Sequence, residues 1–296
     1  MKFPDAMTTP PVPASPEKSR IPVMFSATGS WGLPLGVAIH TLCLHASSGR
    51  FYDIHIVHDG MDARIIQELN QVAAPFPQVS LSFLQLPEEF RLLFQNGNKD
   101  RYSPLSYCNS GVLVLDLDQM RRRNLEHRLL QQLRNRPEPF PYPDQDILNI
   151  ALHGDMTTLP PEWNFQFLSW TWDEEKTRLL RGTEFENVPS ISCGRSWKLL
   201  HMVGPEKPWR LPDAPGTMGQ FHWILYSFFW WPEAKRLPAF REELDAISQG
   251  LAPLLQRHIR GQQWKLFFSR GHIFRKRRDK IRWLKKLLSI LDGRKP

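Results

Sequence analysis

Apolar and polar positions along the first third of the chain fall into alternating strand-like and helix-like stretches. Ile21 to Phe25 carries a short buried-strand pattern that ends in the loop residues Ser26-Ala27-Thr28-Gly29-Ser30. Apolar residues then recur at helical spacing over 35–46 (Leu35, Ile39, Leu42). Phe51 to Val57 alternates like a strand and stops at His58-Asp59-Gly60; 62–73 reads as a helix and Val79 to Leu84 as a third strand. Strands separated by helices predict an α/β fold with a parallel sheet covered on both faces. Ligands of such sheets sit at loops beyond the C-terminal strand ends, here Thr28–Ser30 and His58–Gly60. Further on, Gly111 to Leu115 is wholly apolar and reads as a strand, followed by a basic helix start at Arg121, Arg122 and Arg123. Pro143-Asp144-Gln145-Asp146 reads as a loop feeding a helix over 147–152.

Composition narrows the class. With 296 residues, 41% hydrophobic and 23% charged, the chain is too long and too apolar for a disordered protein; it suffices for one large domain or two small ones. Residues 1–20 hold Pro4, Pro10, Pro11, Pro13 and Pro16 with few large apolar residues, as in a disordered leader. The aromatic run Phe221 to Trp231 falls short of the ~20 apolar residues that a membrane span needs. No secretion signal is recognisable, and the expectation is a soluble, cytoplasmic protein. Cys43, Cys108 and Cys193 form no CxxC pair and read as reduced core residues.

Charge changes the picture once it is divided. The chain carries +8, but 260–296 alone holds thirteen Lys/Arg against two Asp, or +11, so the remainder is 8 − 11 = −3. All excess basicity lies in the C-terminal segment. There, Ile281, Leu284, Leu288 and Leu291 share one helical face, with Lys280, Arg282, Lys285 and Lys286 largely opposite, and Trp264, Phe267, Phe268 and Trp283 add aromatics. A basic amphipathic helix with aromatics suits an anionic membrane surface. A helix packed back onto the body is the plainer alternative. Nucleic acid is not expected as a partner, because no recognised nucleic-acid module accompanies the charge.

Four local patterns carry the candidate chemistry, in this order: Tyr52 to Gly60 (YDIHIVHDG), Asn109-Ser110-Gly111, Tyr142 to Asn149 (YPDQDILN), and His201 to Trp209 (HMVGPEKPW). Together with Leu159-Pro160-Pro161-Glu162-Trp163-Asn164, they make the chain resemble glycosyltransferase family 8, from about Ile21 to Phe240. The resemblance implies a GT-A fold with a mixed, mostly parallel sheet flanked by helices, over a domain at 21–240 followed by a basic tail at 241–296. It also implies a nucleotide-sugar donor, usually UDP-linked, held with Mn²⁺ or Mg²⁺, and hexose transfer with retention to a glycan. Lipopolysaccharide core is the expected acceptor, and the inner face of a bacterial cytoplasmic membrane the expected location.

The matching residues take roles by that resemblance. His201 is a metal ligand through a neutral imidazole nitrogen. Gly204 admits the diphosphate, and Lys207 offers positive charge to the leaving oxygen; growing negative charge there is what a catalyst must stabilise. Gln145, beside the anomeric carbon, and Asp144 and Asp146 belong to the sugar site. Asn109 and Ser110 contact the donor sugar, Arg91 lies near the donor, and Thr28 and Ser30 occupy the nucleoside loop. Asp144 or Asp146 would equally serve as a helix N-cap.

Two departures stand out. The nucleoside loop lacks the family's acidic and amide residues. The segment that delivers an Asp-x-Asp pair to the metal is missing, since only Phe94 to Cys108 precede Asn109, and Asp100 has no acidic partner two residues away. A hard divalent ion wants several oxygen ligands. Asp116 and Asp118 follow an apolar run and are a candidate replacement if the sheet has closed over the gap; Asp118 capping a helix is the plain alternative. An enzyme, a metal-independent transferase relying on Lys207 and Arg91, and a non-catalytic relative acting at the membrane all remain open on the sequence.

Overall fold

The computed structural model describes residues 19–87, 109–134, 143–152, 155–157, 159–166, 198–204, 207–212 and 221–293. The chain divides into two compact units, Met1–Gln85 and Leu86–Pro296.

In the first unit, β1 (Arg20–Ala27), β2 (Phe51–His58) and β3 (Val79–Gln85) form a parallel sheet in that order. Its register sets Val23 beside Ile54 and Ile54 beside Leu81. α1 (Gly32–His45) and α2 (Ala63–Ala73) supply the crossovers, and Asp62 caps α2 by accepting from the Arg64 N–H at 2.7 Å. Strands added in sequence order through right-handed crossovers put both helices on one face, and α1 and α2 do touch. Ile54, Ile56 and His58 are buried on β2. On the alternate positions, Asp53 accepts from Arg20 and Ser80, His55 meets Ser82 at 2.7 Å, and Met24 is exposed. Among the described residues of this unit, helices therefore cover one face of the sheet, not the two expected. The elements otherwise follow the sequence pattern to within two or three residues. β1 begins inside the stretch expected as leader, at Arg20; Cys43 is buried, whereas Cys108 and Cys193 lie outside the described residues.

The second unit holds α3 (Leu117–Arg122), α4 (Leu125–Arg134), α5 (Pro143–Ala151), α6 (Phe221–Ala234), α7 (Arg241–Phe267) and α8 (Gly271–Leu291). Three expectations are corrected here. Residues 111–115 pair with no strand among the described residues, and Leu113, Val114 and Leu115 are exposed. An apolar run becomes a buried strand only where neighbouring strands flank it. Arg121 and Arg122 end a helix instead of beginning one, which suits the negative end of its dipole. Asp144, Gln145 and Asp146 lie in the first turn of α5, which starts at Pro143, where a proline's missing N–H costs nothing.

The core of this unit is α6 with the α7–α8 pair. Trp223, Tyr226, Trp230 and Trp231 of α6 are buried, as are Leu244, Leu251, Leu255 and Ile259 of α7 and Ile281, Leu284, Leu287 and Leu291 of α8. Phe228 meets Trp283 edge-on at 4.9 Å. The Leu291 carbonyl at the end of α8 accepts from Ser248 and from Lys235, satisfying a terminal group that the helix itself cannot. The apolar face of α8 over 281–291 is thus turned inward, while Arg282, Lys285 and Lys286 are exposed.

Candidate functional site

Two backbone segments of the second unit lie side by side and create the site. The Phe165 N–H donates to the Leu199 carbonyl and the His201 N–H to the Phe165 carbonyl at 2.8 Å, forming a parallel bridge between Phe165 and Leu200. This register carries Asn164 to His201. Phe165, Leu200 and Met202 pack on Leu225 and Tyr226 of α6. The Tyr226 hydroxyl donates to the His201 carbonyl at 3.3 Å, so α6 is the floor of the site.

From His201 a chain of hydrogen bonds leads to α5. Nδ1 of His201 lies 2.9 Å from Asn164 Oδ1, which also accepts from Gln166. An amide oxygen opposite Nδ1 requires the proton on Nδ1 and leaves the lone pair on Nε2. Asn164 Nδ2 donates to Asn109 Oδ1 at 3.3 Å, and Asn109 Nδ2 donates to Gln145 Oε1 at 2.7 Å. Gln145 Oε1 also accepts the Ser110 N–H at 3.1 Å, and the Ser110 hydroxyl donates to Asp144 at 2.6 Å. With its oxygen doubly engaged, Gln145 keeps its NH₂ group as a donor. Asp146, one residue on, is buried. At Gly111 there is no room for a side chain, because a Cβ would overlap the His201 ring.

Gly204 has φ +92°, a conformation that glycine adopts without strain. Lys207 folds back to donate to the Met202 carbonyl, with its ammonium 5.6 Å from the centre of the Trp209 ring. Burial, and then the nearby Lys207 charge, push the His201 pKa down to about 4, so the imidazole is neutral at physiological pH.

The structure therefore brings Asn109, Ser110, Asp144, Gln145 and His201 into one network, with Lys207 and Gly204 on the adjoining loop. Thr28 and Ser30 belong to the first unit; their hydroxyls lie 3.3 Å apart and the residues are exposed. That loop meets the end of β2, where Asp59 accepts the Gly29 N–H and a Cβ on Gly29 would come within 2.7 Å of the Gly60 carbonyl. Arg91 and Asp100 lie outside the described residues.

Asp116 and Asp118 are engaged elsewhere. Asp116, not Asp118, caps α3 by accepting the Gln119 N–H, which holds its pKa down, while Asp118 pairs with Arg121 at 2.9 Å. No three His, Cys, Asp or Glu side chains gather into a cation site among the described residues. One imidazole does not make a donor set for a hard divalent ion, so the described residues do not fit the metal that the resemblance implied. Asn164 and Gln166 were not assigned roles from the sequence, although Asn164 closes the quoted Leu159–Asn164 pattern. Tyr226 gave no signal, since an aromatic helix looks the same whether it is only core or also a floor.

The fold is that of GT-A glycosyltransferases: it is similar to the bifunctional glycosyltransferase WbbM, with TM-score 0.53, at 15% identity over 76% of this chain and 51% of that one. Residues 95–211, which contain the whole network, match the model of glycosyl transferase family 8. The chain is 28% identical over 156 residues to a lipopolysaccharide 1,2-glucosyltransferase of Escherichia coli (strain K12), a stretch covering 53% of this chain and 38% of that protein. It is 25% identical over 124 residues to general stress protein A of Bacillus subtilis (strain 168), covering 41% of this chain and 42% of the other. The match thus spans well under half the length of either relative.

Proposed function

We propose that the chain is a glycosyltransferase that moves a hexose, with retention, from a UDP-linked donor to a glycan at a bacterial membrane, with lipopolysaccharide core as the acceptor. The observation that carries this reading is the hydrogen-bonded row Asp144–Ser110–Gln145–Asn109–Asn164–His201 beside a cationic loop. Amides and carboxylates that hold one another in place present fixed donors and acceptors, the chemistry needed to orient a sugar rich in hydroxyls. Similarity to the lipopolysaccharide 1,2-glucosyltransferase of Escherichia coli supports the assignment.

In the reaction, the bond between the anomeric carbon and the diphosphate oxygen breaks while the acceptor oxygen bonds to the same face of that carbon. The acceptor's proton passes to the departing diphosphate. Lys207 turns from the Met202 carbonyl to the leaving oxygen, and Gly204 lets the backbone approach it. Gln145 offers its NH₂ to the sugar, Asp144 and Asn109 fix its hydroxyls, and no side chain is needed as a nucleophile. A divalent ion, when bound, would supply further neutralisation of the diphosphate. The basic segment 260–296 holds the protein to anionic lipid.

A calorimetric titration of UDP with and without Mn²⁺ tests the reading. Binding without metal is the expected result, lost in Lys207→Ala. A ligand confined to the native state also raises its stability by RT ln(1 + [L]/Kd), so weak binding remains visible in melting curves. Failure to bind any nucleotide would favour a second reading, a non-catalytic relative at the membrane.

A further inference from the structure

The α7–α8 pair is an antiparallel hairpin. Ser248 of α7 bonds the end of α8, and Arg277 near the start of α8 donates to the Lys265 carbonyl and the Ser269 hydroxyl at the turn. Its buried seam runs from Leu244 to Ile259 on one helix and from Ile281 to Leu291 on the other. Beyond that, in 260–267 and 271–280, no described side chain is fully buried. The helices continue past the core by roughly 12 Å, at 1.5 Å per residue.

What they carry there is unlike an ordinary solvated end. Phe267 is 85% exposed, Phe268 74%, Trp264 67% and Ile273 57%, with Phe274 also exposed. Trp264 and Phe268 stack edge-on at 5.5 Å, so the patch is organised before anything covers it. Around it stand the exposed Lys265, Arg270, Arg275 and Arg278. From Arg260 to Lys280 the sequence holds eight Lys/Arg and one Asp. His258 and Lys280 are both pushed down in pKa, by burial first and then by neighbouring lysines, as expected where cations are crowded.

We infer that the turn of this hairpin, and not the long face of α8, is the part of the molecule that enters the membrane: Trp264, Phe267, Phe268, Ile273 and Phe274 insert among the headgroups of anionic phospholipid while the surrounding Lys and Arg bind its phosphates. This rests on the membrane reading above and relocates it. The apolar face of α8 is unavailable because it is buried. The apolar turn is exposed, and its collar has the charge complementary to anionic lipid. Aromatic side chains favour the interface between headgroup and acyl chain, and basic residues add attraction to an anionic leaflet.

The test is sedimentation of the full chain with vesicles of phosphatidylcholine with and without phosphatidylglycerol. The wild type is expected to sediment with the anionic vesicles only. The variant Trp264→Ser/Phe267→Ser/Phe268→Ser, which removes only exposed side chains, should lose more than about tenfold in partitioning; brominated lipid should quench less fluorescence in Trp264→Phe than in the wild type. If the wild type binds and the triple variant binds as well, insertion at the turn is overturned while surface attachment stands. If the wild type binds neither vesicle, both fall. If instead the aromatic substitutions abolish self-association in analytical ultracentrifugation and leave vesicle binding intact, the patch is a contact between copies and the inference is wrong.

Discussion

His201 is held by groups that leave it no protonated option at low cost. Its Nδ1 proton faces the Asn164 oxygen, its ring lies against Gly111, and the positive charge of Lys207 opposes a second proton. In the unfolded chain the ring titrates near 6.5; in the folded state it does so at about 4. The folded pKa is the lower, so the unfolded state binds the extra proton first. Stability from this residue is complete above about pH 6.5 and is lost as pH falls toward 4. His201→Gln should flatten that part of the pH dependence of urea unfolding. The wild type should lose on the order of 2–3 kcal/mol relative to the variant between those limits; parallel curves would mean that the imidazole is not held neutral by the fold. Most members of the network were legible as residue types in the sequence. Asn109, Gln145 and His201 stand out because they fall on the motifs that carry the resemblance to glycosyltransferase family 8. Their hydrogen bonds were not legible, because the bridge at Phe165 and Leu200 joins segments with no pairing signal of their own.

At the scale of elements, the sequence describes β1, β2 and β3 well, since alternation has a period of two whatever surrounds the strand. It fails at 111–115. Five apolar residues in a row say only that a buried strand is possible, and burial depends on neighbours that this chain does not show among its described residues. The amphipathic face of α8 was legible too, but not what it faces: the same stripe serves a bilayer or a helix. Packing decides the matter, and the energies follow it. Leu284→Ala, at a fully buried position between helices, should cost about 2–5 kcal/mol in chemical denaturation. Phe267→Ala on the same hairpin should change stability by no more than about 0.5 kcal/mol, being almost fully exposed. Equal effects would mean that the turn is packed in solution.

Over the whole second unit, the α7–α8 hairpin carries exposed aromatic and basic residues at its turn and a buried apolar seam at its other end, and α6 joins that hairpin to the site. One side of α6 supports His201 through Tyr226; its Phe228 packs on Trp283 of α8. Trp283 is twelve residues from Gly271, a helical length of about 18 Å. Were the turn fixed in lipid as proposed, with α6 clamped at the other end, the hairpin would act as a gauge, setting the height at which the proposed transfer adds a sugar and so selecting acceptors by how far they project from their lipid. Seven residues inserted into both helices beyond the buried seam would lengthen it by about 10 Å. UDP affinity should be unaffected, while the preferred acceptor shifts toward longer glycans; an unchanged acceptor profile would show that nothing is measured by its length.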